Sequence, residues 1–341
     1  MTRGDRFGVL AGVAVLLMGG AFVVTQFDTR ADLPAQVVPD DANTKIVARH
    51  LRALQGIADD NDGTRAAGTP GYTASRDYVV RVLERAGYEP TVQEFRFTTD
   101  SGSQITSWNV IAETAAGDPR HVVMAGAHLD SIPGGPGIDD NGTGTAALLA
   151  TAQRTAGTKA VNRVRFAWWG AEELGLVGST HYVEDLAASG GLRDVAMYLN
   201  FDMIGSSNYV RLVYDGDNSS FPEGGQAMEG PDGSGAIEKV FHDYFASRDL
   251  AAEETPLDGR SDYRAFVTHG VPVGGLFSGA EGSKTEPEAS AFGGEPFAPY
   301  EPCYHRACDE LGQVNMRAVG EMSHAVSHAV ARLAATSSLE G

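Results

Sequence analysis

The stretch that decides the fold is RVRFAWWGAEELGLVGSTHYVEDLAA, residues 163–188. Residues 163–169 read as a buried strand, and residues 176–188 are typical of a helix. Between them stand Glu172 and Glu173, whose neighbouring carboxylates repel each other and therefore need solvent, a cation or hydrogen bonds. A strand that leads through two acids into a helix predicts an α/β unit with a polar site at the end of the strand.

The same alternation continues along the chain. Strand-like runs are EFRFTT, SWNVIAET, HVVMAGAH, AMYLNFDMI, VRLVY and VPVGGLF, and helix-like runs cover about 43–56, 73–85, 144–155, 236–248 and 316–334. Such strands, separated by helices, predict an α/β fold whose central, mostly parallel mixed sheet lies between helices. We expect residues 42–341 to form one globular domain, in which EPEASAFGGEP (286–296) is a surface loop.

The N-terminus carries an export signature. Arg3 and Arg6 precede the uncharged apolar run 7–24, and the polar residues 25–41 read as a linker. Segment 1–24 is either a signal peptide or an uncleaved anchor, since the run is almost long enough to span a bilayer. Both alternatives predict a protein that is secreted or anchored to the outer face of the cytoplasmic membrane.

Composition and charge restrict the partners. Apolar residues make up 42% of the 341 residues, which suits a folded core, and the formal net charge is −19. That charge excludes a nucleic-acid partner and disfavours an anionic membrane surface, so that contact with a membrane is expected only through an uncleaved segment 7–24. A chain of this length leaves no room for a large dimerisation domain, and we expect a monomer.

The only two cysteines, Cys303 and Cys308, stand close together in CYHRAC. In an exported chain they predict a short disulfide, which stabilises by about 2 kcal/mol on the chain-entropy model and stiffens the loop between the two sulfurs. A Cys–His metal site is the weaker alternative, because the sequence has no second cysteine pair.

Acids and histidines follow several of the predicted strands. VVMAGAHLDS, GGPGIDDNGTG, WWGAEE, NFDMIG and CYHRAC supply the candidates His128, Asp130, Asp139, Asp140, Glu172, Glu173, Asp202 and His305. Asp202 is the most telling one, because an aspartate between Phe201 and Met203 is costly to bury unless it is paired or bound to a metal. Imidazole and carboxylate are the ligands that zinc prefers, and the carboxyl ends of strands are where α/β sheets bind ligands.

A charge count favours two metal ions over one. Two zinc ions bring +4, and Asp140, Glu173 and Asp202 bring −3, so that a bridging hydroxide makes the site neutral. One zinc ion with three carboxylates would leave excess negative charge in a pocket of low dielectric constant. We expect structural roles for the histidines outside these motifs, among them His242 and His324.

Five motifs, in chain order, resemble those of one enzyme family. AHLDS, GIDDNGTG, WWGAEELGLVGS, NFDMIG and CYHRACD look like the motifs of the secreted bacterial M28-family aminopeptidases, which are co-catalytic dizinc enzymes. The likeness extends from about Asn43 to the C-terminus. It implies a zinc-dependent exopeptidase fold, two Zn²⁺ per chain, and peptide or protein substrates with a free and preferably apolar N-terminal residue. Calcium binding occurs in some relatives, but the sequence assigns no residues to it.

The resemblance also implies a role for each matching residue. The zinc ligands would be His128 and Asp202 for one ion, Glu173 and His305 for the other, and Asp140 as the bridge between the two. Glu172 would be the general base, which takes a proton from the water between the metals and delivers it to the leaving amine.

Further positions match with supporting roles. Asp130 would orient His128 through its other ring nitrogen, and Tyr304 would donate a hydrogen bond to the oxyanion. Arg260 would lie near the free amine of the substrate, and the peptide bond between Asp140 and Asn141 is a candidate for the cis form.

Three alternatives to an aminopeptidase remain open. A carboxypeptidase of the same superfamily would need cationic groups for a terminal carboxylate, and the motif-embedded candidates are Arg260, Lys284 and Arg306. A glutaminyl cyclase would use one zinc ion, whereas this chain keeps ligands for two. A non-catalytic surface protein on the same scaffold would be expected to have lost ligands or the base.

Overall fold

The computed structural model describes residues 41–221 and 227–336. Segment 1–24 and all but the last residue of the linker 25–41 lie outside the described residues, so the predictions on them are untested. Within the described ranges, no helix has the length and the apolar character that crossing a membrane requires.

Eight α-helices of the described residues accompany the sheet, and several begin or end at the residues that the sequence predicts. Their bounds are α1 Ala42–Asp59, α2 Pro70–Ala86, α3 Gly144–Thr155, α4 Val177–Ala188, α5 Ser234–Ala246, α6 Tyr263–Thr268, α7 Glu286–Phe292 and α8 Met316–Ala334. Helix α2 begins three residues before the predicted Thr73, because Thr69 caps the amide of Tyr72 and Pro70 suits the first helical turn.

The sheet has eight strands in the order β1-β2-β4-β3-β5-β8-β6-β7. The strands are β1 Thr91–Thr98, β2 Gln104–Glu113, β3 Asp118–His128, β4 Asn162–Trp169, β5 Val195–Phe201, β6 Leu212–Tyr214, β7 Glu253–Thr255 and β8 Val273–Phe277. The central strands β4, β3, β5 and β8 run parallel to one another, and antiparallel pairing of β2 with β4 and of β6 with β8 makes the sheet mixed. The predicted fold class is confirmed.

Helices cover both faces of the sheet. Helices α1, α3, α5 and α8 enclose the larger apolar core, in which Leu148, Leu149 and Phe241 are fully buried. Helices α4 and α6 cover the other face around Trp169, Tyr198 and Phe266. Both Trp168 and Trp169 are fully buried, as expected of core residues.

Two short elements escaped the sequence analysis, and one expectation was wrong. Strand β7 has three residues and helix α6 has six, so neither shows a full hydrophobic period. The segment 286–296, expected to be a loop, begins with α7. A capping box causes this helix: the hydroxyl of Thr285 accepts from the amide of Glu288, and the carboxylate of Glu288 accepts from the amide of Thr285.

The topology brings the candidate residues together at one edge of the sheet. The strand order changes direction at β3, because β4 lies on one side of β3 in the sheet and β5 lies on the other. A crevice forms at such a switch point, outside the carboxyl ends of the strands. His128 ends β3, Glu172 and Glu173 follow β4, and Asp202 follows β5.

Gly126, two residues before His128, permits close packing beneath this edge. A Cβ at Gly126 would lie 2.4 Å from Tyr198 Oη and 2.6 Å from Trp169 Nε1. These two atoms are hydrogen-bonded, since Trp169 Nε1 donates to Tyr198 Oη over 2.8 Å. A side chain larger than hydrogen would therefore break a buried polar contact.

We predict that Gly126→Ala lowers the free energy of unfolding by about 1–3 kcal/mol, because overpacking displaces Tyr198 and Trp169. Urea denaturation measures the change. The matched control is Gly56→Ala in α1, where no other described atom lies within 4 Å of the added methyl group, and a gain of about 0.5–1 kcal/mol is expected. Equal stability of Gly126→Ala and the wild type would refute the packing argument.

Candidate metal centre

His128 presents one ring nitrogen to two carboxylates. The imidazole is 1% exposed, and its Nδ1 lies 3.1 Å from the carbonyl oxygen of Asp130. A carbonyl oxygen can only accept, so Nδ1 donates its hydrogen. In the neutral ring, the lone pair of Nε2 therefore points at Asp140 Oδ1, 3.1 Å away, and at Asp202 Oδ1, 3.2 Å away. A nitrogen lone pair and two carboxylate oxygens that face one another need a positive charge between them.

Asp202 is held by the loop that precedes α6. Its Oδ2 accepts a hydrogen bond of 2.6 Å from the hydroxyl of Ser261, which leaves Oδ1 facing His128. Asp202 comes directly after the buried strand β5. The hydrogen bond from Ser261 and the nearby imidazole of His128 therefore offset the free energy needed to remove this carboxylate from water.

A second group of donors shares Asp140 with the first. His305 Nε2 lies 3.2 Å from Asp140 Oδ2 and 3.0 Å from Glu173 Oε2. The other oxygen of Glu173 is buried, and no described residue forms a hydrogen bond to it. An unpaired buried oxygen is unusual and is typical of a site for an ion or a water molecule.

The donor set fits zinc. In each group, His128–Asp140–Asp202 and Asp140–Glu173–His305, one donor atom per residue lies within 4.8 Å of the others. Tetrahedral zinc with bonds of about 2.0–2.2 Å keeps its ligand atoms about 3.3 Å apart, close to the imidazole–carboxylate distances found here. Asp140 gives one oxygen to each group, as a bridging ligand would.

The electrostatics favour cations at both groups. Burial disfavours protonated His128, but the carboxylates of Asp202 and Glu172 outweigh it and raise its pKa well above the usual value. Hydrogen bonds to Asp140 and Glu173 raise the pKa of His305 to about 10. Asp140 is buried, yet the two imidazoles lower its pKa. Burial and the nearby Asp140 raise the pKa of Glu173 to about 7. Carboxylates in this arrangement attract positive charge.

Glu172 and Glu173 are separated by the way their backbone is fixed. The carboxylate of Asp130 accepts from the amide of Glu172 over 3.1 Å and from the amide of Glu173 over 3.3 Å. Glu173 turns toward His305. Burial raises the pKa of Glu172 well above its usual value; the negative charges of Asp202, Asp262 and Glu173 add to this effect, and His128 opposes it. The two adjacent acids therefore occupy different environments.

The contact of Asp130 with His128 differs from the expected one. The carboxylate oxygen lies 3.7 Å from His128 Nδ1, too far for a hydrogen bond, and the backbone carbonyl of Asp130 makes that bond instead. Asp130 thus orients His128 through its main chain. Its side chain holds the amides of the two glutamates.

Asp140 stands on a loop that two further residues hold. Asp309 accepts from the amides of Asp139 and Asp140 over 2.7 and 3.0 Å, and it is 2% exposed. Asn141 donates to the carbonyl of Phe201 and accepts from the amides of Gly144 and Met203. The peptide bond between Asp140 and Asn141 is cis, as the resemblance implied. The loop is thereby joined to β5 and to the segment that carries His305.

Arg65, which the sequence analysis did not single out, lies beneath the centre. It is fully buried and donates to the carbonyls of Leu129, Pro136 and Gly137. Burial lowers its pKa to about 10, opposed by four nearby carboxylates, so that it stays cationic at neutral pH. Arg65 lies in NDGTRAAGTPGYTASRDYV (61–79) and Ser261 in DGRSDYRAF (258–266), two further stretches that resemble the same family, and that likeness is the signal that could have identified them.

Tyr304 and Arg260 lie together at the mouth of the centre. A disulfide joins Cys303 to Cys308, and Tyr304 stacks on His305 within this loop. Arg260 donates to Tyr304 Oη over 3.2 Å and to Glu281 over 2.7 Å. These side chains border a cleft of about 750 Å³, which is also lined by His128, Asp140, Glu172, Glu173, Asp202 and His305. All of the predicted site residues except Asp130, Asp139 and the two cysteines line this cleft.

Comparisons with known proteins agree with this geometry. The model of peptidase family M28 matches residues 109–330. The chain is 42% identical to leupeptin-inactivating enzyme 1 of Streptomyces exfoliatus over 96% of this chain and 70% of that protein. It is 51% identical to an aminopeptidase of Pseudomonas aeruginosa over 65% of this chain, and spans only 40% of that relative.

Solved structures show the same fold. A zinc aminopeptidase from Bacillus subtilis superposes with a TM-score of 0.68 at 16% identity, covering 89% of this chain and 97% of that one. A glutaminyl cyclase of an Acidobacteriales bacterium gives 0.66 at 17% identity, covering 88% and 98%. The fold alone therefore does not separate the two activities.

We predict that Asp309→Asn lowers the free energy of unfolding by about 1–3 kcal/mol, because an amide NH₂ replaces one of the oxygens that accept from Asp139 and Asp140. Urea denaturation of the purified chain measures this loss. Glu310→Gln is the matched control, since Glu310 is the exposed neighbour and its substitution is expected to change stability by less than about 0.5 kcal/mol. Equal effects of the two substitutions would contradict the role of Asp309.

Proposed function

The chain belongs to peptidase family M28, and from this premise we propose that it is an exported zinc aminopeptidase that hydrolyses the N-terminal peptide bond of peptides or proteins. The observation that carries the proposal is the shared carboxylate of Asp140, which contacts one imidazole on each side within a cleft that Glu172 also lines. Relatives named as aminopeptidases support the choice within the family.

Two zinc ions per chain would be held by the two donor groups. His128, Asp140 and Asp202 would bind one ion, and Asp140, Glu173 and His305 would bind the other. Zinc, when bound, polarises the scissile carbonyl and lowers the pKa of water. The remaining chemistry belongs to the side chains of this chain.

Glu172 would move the proton. Its backbone is fixed by Asp130. Its half-buried side chain lies near other carboxylates, and burial together with their charge raises the pKa of Glu172 well above the usual value, which favours acceptance of a proton. In the proposed reaction Glu172 takes a proton from the attacking water and delivers it to the nitrogen of the leaving amine. Adjacent Glu173 is unsuited to this task because it faces His305.

Tyr304 would stabilise the developing oxyanion. Arg260 donates to Tyr304 Oη, so the hydroxyl keeps its own hydrogen for the carbonyl oxygen of the substrate. This contact also gives Arg260 a role other than the expected one near the substrate amine: it orients Tyr304. Its guanidinium is further engaged by Glu281.

The lining of the cleft suits an N-terminal ammonium group with an apolar side chain. The acidic groups of Glu172, Asp202, Asp258 and Glu281 face it, and they attract a cation. Apolar walls are supplied by Met203, Leu212, Phe221 and Phe277. We infer a preference for apolar N-terminal residues from this combination.

The alternatives receive less support. A carboxypeptidase needs a free cation for the terminal carboxylate, but Arg260 is paired with Glu281. Lys284 is 1% exposed and donates to the carbonyls of Tyr209 and Gly293. Arg306, the third candidate, is not among the residues that line the cleft. A cyclase with one metal ion would not require the second donor group. Loss of ligands, expected in a non-catalytic relative, is not found at these positions.

Export is proposed from the N-terminal segment and from the disulfide, since a disulfide persists in an oxidising compartment. Cleavage of segment 1–24, the monomeric state and calcium binding stay predictions. The disulfide would fix the loop that supplies both Tyr304 and His305.

Glu172→Gln is expected to lower turnover of a leucine peptide substrate by at least about 100-fold, because the amide cannot accept the proton. The bound zinc, counted by mass spectrometry, should stay at the wild-type value. Glu184→Gln, an exposed substitution on α4, serves as the matched control and should leave turnover unchanged. Near-normal activity of Glu172→Gln would remove it from the mechanism.

A peptide panel tests the exopeptidase claim. Peptides with a free N-terminus should lose their first residue, and the same peptides with an acetylated N-terminus should stay intact, because the neutral amide no longer suits the acidic recess. A chelator should abolish the cleavage. Hydrolysis of acetylated peptides at an equal rate would overturn the assignment, and release of C-terminal residues would favour the carboxypeptidase.

A further inference from the structure

A second cluster of metal-ligand side chains lies between α5 and β7. Glu238 and His242 are one helical turn apart on α5, and they face Glu254 of β7. One donor atom from each residue lies within 4.8 Å of the others. None of these residues belongs to the motifs of that centre.

Two donor atoms of this cluster are buried without a partner. His242 Nε2 and Glu254 Oε2 are inaccessible to solvent, and neither forms a hydrogen bond with any residue of the described ranges. A buried imidazole nitrogen and a buried carboxylate oxygen are normally paired, and an exception calls for an ion or a water molecule. Both atoms belong to residues that favour metal binding.

The distances fit metal ligands better than hydrogen bonds. His242 Nε2 lies 3.5 Å from Glu254 Oε1 and 3.8 Å from Glu238 Oε1. Both values exceed the usual 2.7–3.2 Å of an N–H···O bond. They approach the separation of about 3.3 Å between ligand atoms around tetrahedral zinc. His242 Nε2 therefore lies near both carboxylates without a hydrogen bond to either, whereas the carboxyl groups of Glu238 and Glu254 are close enough to hydrogen-bond to each other when one of them is protonated.

Backbone amides determine which oxygen of Glu238 is available to an ion. Asp215 accepts from the amides of Ser219, Ser220 and Phe221, so backbone groups already satisfy it. Glu238 Oε2 accepts from the amide of Gly216 over 2.8 Å. The oxygen left for an ion is therefore Oε1, which points toward His242.

We propose that Glu238, His242 and Glu254 bind a further divalent transition-metal ion, zinc by the chemistry of the donors. An imidazole with carboxylates suits zinc, whereas calcium requires six to eight oxygen ligands. Like-charged Glu238 and Glu254 would both be neutralised by the ion. The side chain of His242 is 32% exposed although its Nε2 is not, so the cluster lies just beneath the surface.

The proposed ion would fasten an edge of the sheet. Strand β7 has three residues, lies at the end of the sheet and pairs with β6 alone among the described strands. Glu254 Oε1 lies 3.5 Å from His242 on α5, and Glu253, Glu254 and Thr255 all line the cleft of the first centre. An ion shared by α5 and β7 would hold this wall of the cleft in place.

Metal analysis of the purified full chain tests the site. After saturation with zinc and dialysis against metal-free buffer, the wild type should retain one more zinc ion per chain than His242→Ala and Glu254→Gln. Zinc added to the metal-depleted chain should raise the melting temperature further in the wild type than in either variant. Far-UV circular dichroism establishes that both variants are folded.

His181→Ala is the matched control. His181 and Asp185 form the same one-turn pair on α4 at 3.3 Å, without a third ligand among the described residues, and this substitution should leave the zinc count unchanged. Equal zinc counts in the wild type and both cluster variants would overturn the proposal, as would an equal loss in His181→Ala. The difference in zinc count does not depend on turnover, so a failure of the aminopeptidase assignment leaves this test readable.

Discussion

Buried negative charge is the constraint on which the rest of this structure depends. Asp130, Asp139, Asp140 and Asp309 are each at most 5% exposed, and the carboxylate of Glu173 lies beside them. Removing an unpaired carboxylate from water costs several kcal/mol, so each of them needs a donor or a cation. The fold around the cleft supplies both, and most of its unusual features serve that purpose.

Backbone amides meet a large part of this requirement. Asp130 binds the amides that follow β4, and Asp309 binds the amides of the loop that carries Asp140. Asp130 and Asp309 therefore each fasten a loop that presents another acid. Arg65 adds the positive charge that amides cannot give, and its bonds to three carbonyls fix the segment around His128. The hydrogen bonds that stabilise the buried carboxylates are thus the same ones that hold the loops of the centre in position.

The residual negative charge is what makes the centre useful. After the amides and Arg65 are counted, Asp140, Glu173 and Asp202 still face two imidazoles and, at Asp202, the hydroxyl of Ser261. Under the proposed function, such a site would bind divalent cations and attract the ammonium group of a substrate. The cluster on α5 and β7 follows the same logic on a smaller scale, since buried donor atoms there lack partners within the described chain. Its position at an edge strand suggests fastening of the fold, whereas the first centre stands at the switch point of the sheet.

The sequence by itself determined the fold class, the bounds of α3 and α8 and the set of residues at the main centre. It could do so because continuous apolar strands, helical periods and acids at strand ends are local patterns. Only the tertiary structure decided which atoms meet: that Asp130 holds His128 through its carbonyl, that Asp309 supports Asp140, and that Arg65 lies beneath them. It also revealed Glu254 opposite His242, a partner twelve residues away on a strand too short to show a period. Contacts between distant segments depend on the order and register of the strands. Local sequence patterns carry no information on that order and register.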